Sequence, residues 1–589
     1  MPCTEAPDME SRFSKDVDRN CPLSEYPRPQ MQRKEWVCLN GMWDYAILQD
    51  GDKPEEWQGK ILVPFSPEAP LSGVNRTLKP DEVLWYHREF SLAEENEEKR
   101  VILHFGAVDQ RAVVFINGKE AGKHRGGYTA FEIDITEYLA AGENQLLVMV
   151  SDLFDREGDA RGKQSLKPGG IWYTPQSGIW QTVWMETVPE EYISKLRIEP
   201  NFDERSCQIT VVSRSDESVI LNIDGVSYVG RTNRSVEIKP DEFHPWSPED
   251  PYLYKFSVRM GEDEVESYFG LRKYSVEKDS EGTPRLFLNG VPYFHNGLLD
   301  QGYWPDGLYT APTDEAMIYD IQTMKDMGFN CLRKHIKIEP DRWYYHCDRL
   351  GMLVWQDMPS GGGTYSPLVM FPPLMIKGLS FKDSNYKLFS RENESGRAQY
   401  YRDLEAMIDQ LYNTVSIAVW VPFNEGWGQF DSRKAMEFIK KRDASRTVDH
   451  ASGWHDQRIG EVQSLHVYFK PVKFRKDKLG RAVCLTEFGG ITLGLKGHTF
   501  DAKESGYFRS ADLDTLKDDF RKLYEKQIFP AWEKGLAAAI YTQVSDVEGE
   551  VNGILTYDRE VEKLPREAMR DLFSKINERN SAVITAEEK

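Results

Sequence analysis

The 589-residue chain holds only seven cysteines. They are scattered, among them Cys3, Cys38, Cys207 and Cys484, with no C-x-x-C pair. An odd number so spread gives no disulfide framework and points to a reducing compartment. Positive charge is also short: 74 Lys and Arg face 95 Asp and Glu, for a formal net charge of -21. A field of that sign repels nucleic acid and anionic membrane surfaces, so neither is expected as a partner. Long apolar runs are missing. The opening "MPCTEAPDMESRFSKDVDRN" lacks the apolar core of a secretory signal. The short "GLAAAIYTQV" near residue 540 falls below the roughly 18–20 residues of a membrane span. A soluble, cytoplasmic protein is the expectation, and the Asn-x-Ser/Thr triplets at Asn75, Asn233 and Asn393 are then chance matches. No G-x-G-x-x-G or Gly-Lys-Ser/Thr loop follows a strand-like run, which counts against an open nucleotide-binding sheet. H-E-x-x-H, Cys/His clusters and calcium-loop spacing are absent too, so neither a cofactor nor a catalytic metal is implied.

What is present fills more than one core: 40% of residues are hydrophobic and 12% aromatic. From Trp36 to Pro189, short alternating segments broken by Gly, Asn and Pro predict an all-β sandwich or jelly roll, with Asn117-Gly118 as a hairpin turn. Glu191 to Val276 repeats that pattern at the size of an immunoglobulin-like sandwich, and its Pro-rich "FHPWSPEDPYLY" reads as a rigid surface crossing. After "YFGLRKYSVEKD" apolar runs alternate with amphipathic helices. Met317, Ile321, Met324 and Met327 form one core stripe ending at Gly328, and Tyr401, Leu404, Ile408 and Leu411 a second. Eight strand candidates, "VPYFHNGLL", "FNCLRKH", "MLVWQDM", "SIAVWVPF", "TVDHASG", "QSLHVYF", "AVCLTEFGG" and "AAAIYTQVSD", predict a closed (β/α)8 TIM barrel. The expected domains are residues 1–190, 191–276 and 277–589. The Gly- and Pro-rich insert from Pro359 to Glu392 reads as a wall or lid over the barrel mouth.

In such a barrel, chemistry gathers at the carboxyl ends of the strands. The fourth strand ends at Asn424-Glu425 and the seventh at Thr486-Glu487-Phe488-Gly489, which brings two carboxylates to one mouth. Each Glu follows an apolar run and precedes small residues, the setting of a rigidly placed reactive group. The chain here resembles glycoside hydrolase family 2. "VLWYHREFSL", "VILHFGAVDQRAVVFINGKEAGKHRGGYTAFEIDIT" and "SGIWQTVWME" are similar to its N-terminal sugar-binding jelly roll, and "YFGLRKYSV" to the exit of its immunoglobulin-like domain. "VWVPFNEGWGQFD" and "CLTEFGG" are similar to its acid/base and nucleophile strands.

The resemblance implies a retaining, exo-acting β-glycoside hydrolase with Glu425 as general acid/base, Glu487 as nucleophile and Asn424 on the sugar 2-hydroxyl. Tyr468 matches the family tyrosine that touches the nucleophile. Arg333 is expected to stabilise the same carboxylate, and His335, His466, Asp300 and Asp357 to meet sugar hydroxyls. Trp304 and Trp427 are candidates for stacking on a sugar face. The family's glucuronidases carry Asn-x-Lys, but Asn552 is followed by Gly553 and Ile554. That favours a β-galactosidase over a β-glucuronidase or β-galacturonidase, although Lys334 and Lys337 offer cations from the second strand. The galactosidase pattern is also incomplete, since "QDMPSGGG" lacks a histidine and the eighth strand a tryptophan. A non-catalytic carbohydrate-binding protein is the rival class, and self-association is left open.

Overall fold

The computed structural model describes residues 9–587 apart from residue 50 and residues 93–98, 155–157, 371–372, 374–375, 377–378 and 501–503. Cys3 and part of the Pro359–Glu392 insert lie outside the described residues; the other cysteines are free thiols. No described helix is long and apolar enough to cross a membrane.

Period-two alternation builds the first domain. In the strand Glu143–Ser151, Asn144, Leu146, Val148 and Val150 turn inward while Glu143 and Gln145 stay exposed. That strand lies between Val83–Ser91 and Arg111–Ile116 in a six-stranded antiparallel sheet. A four-stranded sheet closes over it, and Trp43, Tyr86, Leu103, Phe105, Val114 and Met185 fill the space between. The Asn117-Gly118 turn forms as the sequence predicts, both residues taking positive φ (50° and 78°) as a type I′ hairpin requires.

The second sandwich pairs sheets of three and four strands around Ile209, Leu221, Val258 and Phe269. Its Pro-rich segment is not purely a surface crossing. Trp246 is fully buried and donates its indole N–H to the carbonyl of Asp348, 2.8 Å away, tying this domain to a barrel helix.

Eight parallel strands form the barrel: β1 (His295–Asp300), β2 (Cys331–Lys334), β3 (Leu353–Asp357), β4 (Ile417–Val421), β5 (Thr447–Val448), β6 (Val462–Val467), β7 (Ala482–Gly489) and β8 (Leu536–Thr542). Their ladder runs β5-β4-β3-β2-β1-β8-β7-β6. No β5–β6 strand pairing is made, because β5 is two residues long; side chains close the seam instead, with Ser452 Oγ 3.3 Å from Ser464 Oγ. The outer helices include Asp314–Asp326, Asp341–Leu350, Glu394–Leu411 and Ser432–Arg442, whereas the β5–β6 and β6–β7 connections carry none. Met317, Ile321, Met324 and Met327 pack inward, and Leu404, Ile408 and Leu411 do the same. In that second helix Tyr400 is the more buried tyrosine, stacked 5.2 Å from Phe423; Tyr401 is only partly buried. Below the strands, Leu286 and Leu288 plug the barrel floor against Leu353, Trp355, Val419 and Ala538. A buried leucine of that kind contributes about 2 kcal/mol.

Candidate active site

Strand β4 is buried throughout and carries its exit loop into the mouth. Glu425 leaves the strand with φ 47°, a left-handed conformation uncommon for a glutamate. Two backbone bonds hold it there, Glu425 N–H to the Ser452 carbonyl and Ser452 N–H to the Phe423 carbonyl, both 2.9 Å. Gly426 follows at φ 74°, and a Cβ on it would lie 2.5 Å from the His455 ring. Strained backbone kept in place by its surroundings is characteristic of reactive sites. Glu487 comes from β7, where the ladder shifts register against both β6 and β8. Such irregularities re-aim side chains.

The two glutamates meet. One carboxylate oxygen from each, with a ring nitrogen of His466, lie within 4.8 Å of one another. Glu487 accepts from Arg333 at 3.1 Å and from the Tyr468 hydroxyl. Arg333, fully buried, also forks onto both oxygens of Asp357 at 2.9 Å and reaches Asn424 Oδ1 at 2.8 Å. His335 shares Asp357 at 2.9 Å. Burial alone would push Glu487 up, but the neighbouring His466, Arg333 and His335 and the tyrosine hydrogen bond outweigh it and hold the carboxylate below its ordinary value. Burial and the neighbouring Glu487 charge push Glu425 the other way. Burial and nearby Lys163 keep His335 well below the usual histidine value.

His466 links the pair. Its Nδ1 is 2.7 Å from Glu425 and 3.5 Å from Glu487, and its Nε2 is 3.1 Å from Ser452 Oγ. Ser452 donates to Thr486 Oγ1 (3.1 Å), and Thr486 to the Leu465 carbonyl (3.4 Å). A carbonyl can only accept, so the chain has one direction. Ser452 then accepts from His466 Nε2–H, and Nδ1 faces Glu425. The three groups could also ligate a cation, but this chain satisfies both ring nitrogens without one.

Several expected residues lie elsewhere. Lys337 Nζ donates to the carbonyls of Gly302 (2.6 Å) and Tyr309 (2.7 Å) and to Glu339 (2.8 Å). Burial pushes it down to about 8. Lys334 bonds Asp300 and Glu339, each at 2.8 Å, and Asp300 also accepts from Gly302 N–H. Asp300, Lys334 and Lys337 thus form an internal ion network with Glu339, and the Gly302 and Tyr309 carbonyls take the remaining Lys337 donors. Trp304 packs beneath Arg559, 4.0 Å from its ring, as core. Asn424 Nδ2 and Trp427 Nε1 are buried without a partner among the described residues, as donors awaiting a ligand would be. The Trp427 ring lies 5.3 Å from Trp172 and 6.5 Å from Tyr365.

Sequence reasoning missed the contribution of the first domain. Its loop around residues 160–174 crosses onto the mouth, where Ala160 pairs with Gly361 of the β3 exit and Tyr173 donates to Glu550 of the β8 exit. Lys163, Trp172 and Tyr173 arrive with it. Tyr507 was also missed; it stacks 3.9 Å from Tyr468. No local pattern marks these residues, because their partners lie in other elements far along the chain.

Three family profiles match the chain: "Glycosyl hydrolases family 2, sugar binding domain" over residues 69–189, "Glycosyl hydrolases family 2" over 191–272, and the "TIM barrel domain" of the same family over 310–476. The chain belongs to glycoside hydrolase family 2. Among its relatives, a β-galactosidase of Thermoanaerobacter pseudethanolicus is 27% identical over 62% of this chain and 48% of its own length. A putative β-glucuronidase of Formosa agariphila is 27% identical over 58% of this chain and 39% of its own. The chain therefore spans about half the length, or less, of these two curated relatives. Among solved structures, a β-glucuronidase of Faecalibacterium prausnitzii superposes with TM-score 0.72 at 20% identity, over 94% of this chain and 99% of that one. A family 2 β-galacturonidase of Eisenbergiella tayi superposes with TM-score 0.69 at 19% identity, over 93% and 99%. At those identities the likeness establishes the shared architecture.

Proposed function

We propose that this chain hydrolyses a terminal β-linked pyranoside with retention of configuration. Glu487 attacks the anomeric carbon while Glu425 protonates the departing glycosidic oxygen, giving a glycosyl-enzyme. Water, deprotonated by the Glu425 carboxylate, then releases the sugar from Glu487. The observation that carries this is the Glu425–Glu487 pair, with oxygens within 4.8 Å and pKa values pushed in opposite directions. That spacing suits direct attack; the roughly 6.5–9.5 Å of inverting enzymes would be needed to seat a water between the carboxylates. Asn424, oriented by Arg333 through its Oδ1, has its amide N–H group free for the 2-hydroxyl.

For the glycone we propose a β-galactoside. The lysine expected after Asn552 in a glucuronidase is absent, and Lys334 and Lys337 are committed to Asp300 and Glu339. A β-uronide is the alternative, on the strength of the names of several relatives. Proton NMR at early time on an aryl β-galactoside tests the reaction class: β-galactose should appear first. First appearance of the α-anomer would exclude double displacement, and turnover of no aryl glycoside would favour a non-catalytic binding protein.

A further inference from the structure

The geometry points to Lys163, supplied by the sugar-binding domain, as a glycone-reading residue that holds one hydroxyl of a neutral sugar between its ammonium and the Glu550 carboxylate. This rests on the site being the glycoside pocket. The loop carrying Lys163 is fixed in place. Arg161 N–H and Gly162 N–H both donate to the Ser360 carbonyl (2.8 and 2.9 Å), Tyr173 N–H to the Lys163 carbonyl (3.0 Å), and Thr174 N–H to Glu548 (2.7 Å).

The side chain is unfinished. Lys163, Lys334, Lys337 and Lys563 are the buried lysines among the described residues. Lys334 and Lys337 are bonded as above, and Lys563 donates to Asp546 and to the carbonyls of Leu493 and Val551. The ammonium of Lys163, a residue 5% exposed, has no hydrogen bond to any described residue. Its surroundings are the rings of Tyr173 at 5.3 Å and Trp427 at 5.9 Å, with Glu550 Oε2 at 4.0 Å. With no acceptor in hydrogen-bond reach, the ammonium has its donors open to a ligand. Its reach into the site is also felt by Glu425 and His335, whose protonation its charge disfavours.

A gap of 4.0 Å is too long for a hydrogen bond, but a hydroxyl oxygen about 2.8 Å from each group bridges it, accepting from Lys163 and donating to Glu550. A sugar carboxylate fits poorly there. It would meet Lys163 beside Glu550, with Glu425 and Glu487 in the same mouth. The pair therefore selects a neutral glycone, even though a lone lysine would invite an anion.

Calorimetric titration of galactose, its 3-, 4- and 6-deoxy derivatives and galacturonate into wild type and Lys163→Met tests this without requiring turnover. Wild type should bind galactose at least about tenfold more tightly than galacturonate. Lys163→Met should weaken galactose about 30-fold, the worth of a charged hydrogen bond, but weaken one deoxy sugar less than about twofold. Glu550→Gln should narrow the preference over galacturonate. Equal weakening of galactose and all deoxy sugars, no weakening, or no galactose binding by wild type overturns the assignment. So does a wild-type preference for galacturonate that Lys163→Met erases. A wild type that shows the expected binding pattern but turns over no glycoside removes the hydrolase proposal alone.

Discussion

Replacing Tyr468 by phenylalanine removes one hydroxyl and keeps the ring. That ring is stacked on Tyr507 at 3.9 Å and 9° between planes, so its packing survives. What is lost is the O–H donated to Glu487, together with the contact to Thr542 Oγ1 at 3.1 Å. A hydrogen bond to a buried charged group is worth about 1.5–3 kcal/mol, which converts to roughly 10- to 150-fold. Arg333 remains at 3.1 Å and His466 at 3.5 Å, so Glu487 stays ionised near neutrality but is less well aimed. We expect kcat/KM on an aryl β-galactoside to fall about 10- to 100-fold. Because the lost bond is one of the causes holding Glu487 low, the acid limb of the pH profile should also move to higher pH. The sign for stability follows: a lowered carboxylate stabilises the fold above its unfolded pKa and loses that stabilisation as pH falls. Tyr468→Phe should therefore lower Tm at neutral pH more than at acid pH. A folded variant with kcat/KM within twofold of wild type and an unmoved acid limb would refute the role given to this hydroxyl.

Glu425, raised by burial and by Glu487, favours the fold in its protonated form and loses that contribution as pH rises through its folded pKa. Glu425→Gln should thus match wild-type Tm in acid and exceed it at alkaline pH in differential scanning calorimetry; a lower Tm at both ends would contradict the assigned direction. Arg333→Met leaves Asp357 and Glu487 buried without their guanidinium and should cost about 3–5 kcal/mol in urea denaturation. Arg333→Lys should recover part of that stability but little activity, since an ammonium cannot make the fork onto Asp357 while also reaching Glu487 and Asn424. Equal activity of the lysine variant and wild type would show that charge alone suffices.

Local pattern carried the fold a long way. Alternation in segments such as Glu143–Ser151 and the Asn117-Gly118 turn are nearest-neighbour signals, and the barrel strands are apolar runs that remain legible when buried on both faces. The missing helices after β5 and β6 were not legible, because short connections are specified by what they pack against. In the site, Glu425 and Glu487 stood out as carboxylates ending apolar strands, which composition alone makes unusual. Lys334 and Lys337 misled for a related reason: a charge near a strand end reads as available until its buried partners, Asp300 and Glu339, are known. Lys163 and Glu550 come together only through domain packing, and nothing around either residue in the sequence announces the other.

In the proposed reaction Glu487 forms a covalent bond to the sugar while Glu425 serves as acid and base. Incubation with 2,4-dinitrophenyl 2-deoxy-2-fluoro-β-galactoside, whose fluorine slows release of the glycosyl-enzyme, followed by proteolysis and mass spectrometry, tests it directly. One fluorosugar per chain, on the peptide containing Glu487, is the predicted result. A label on Glu425, or burst-free turnover with no adduct on either glutamate, would contradict it.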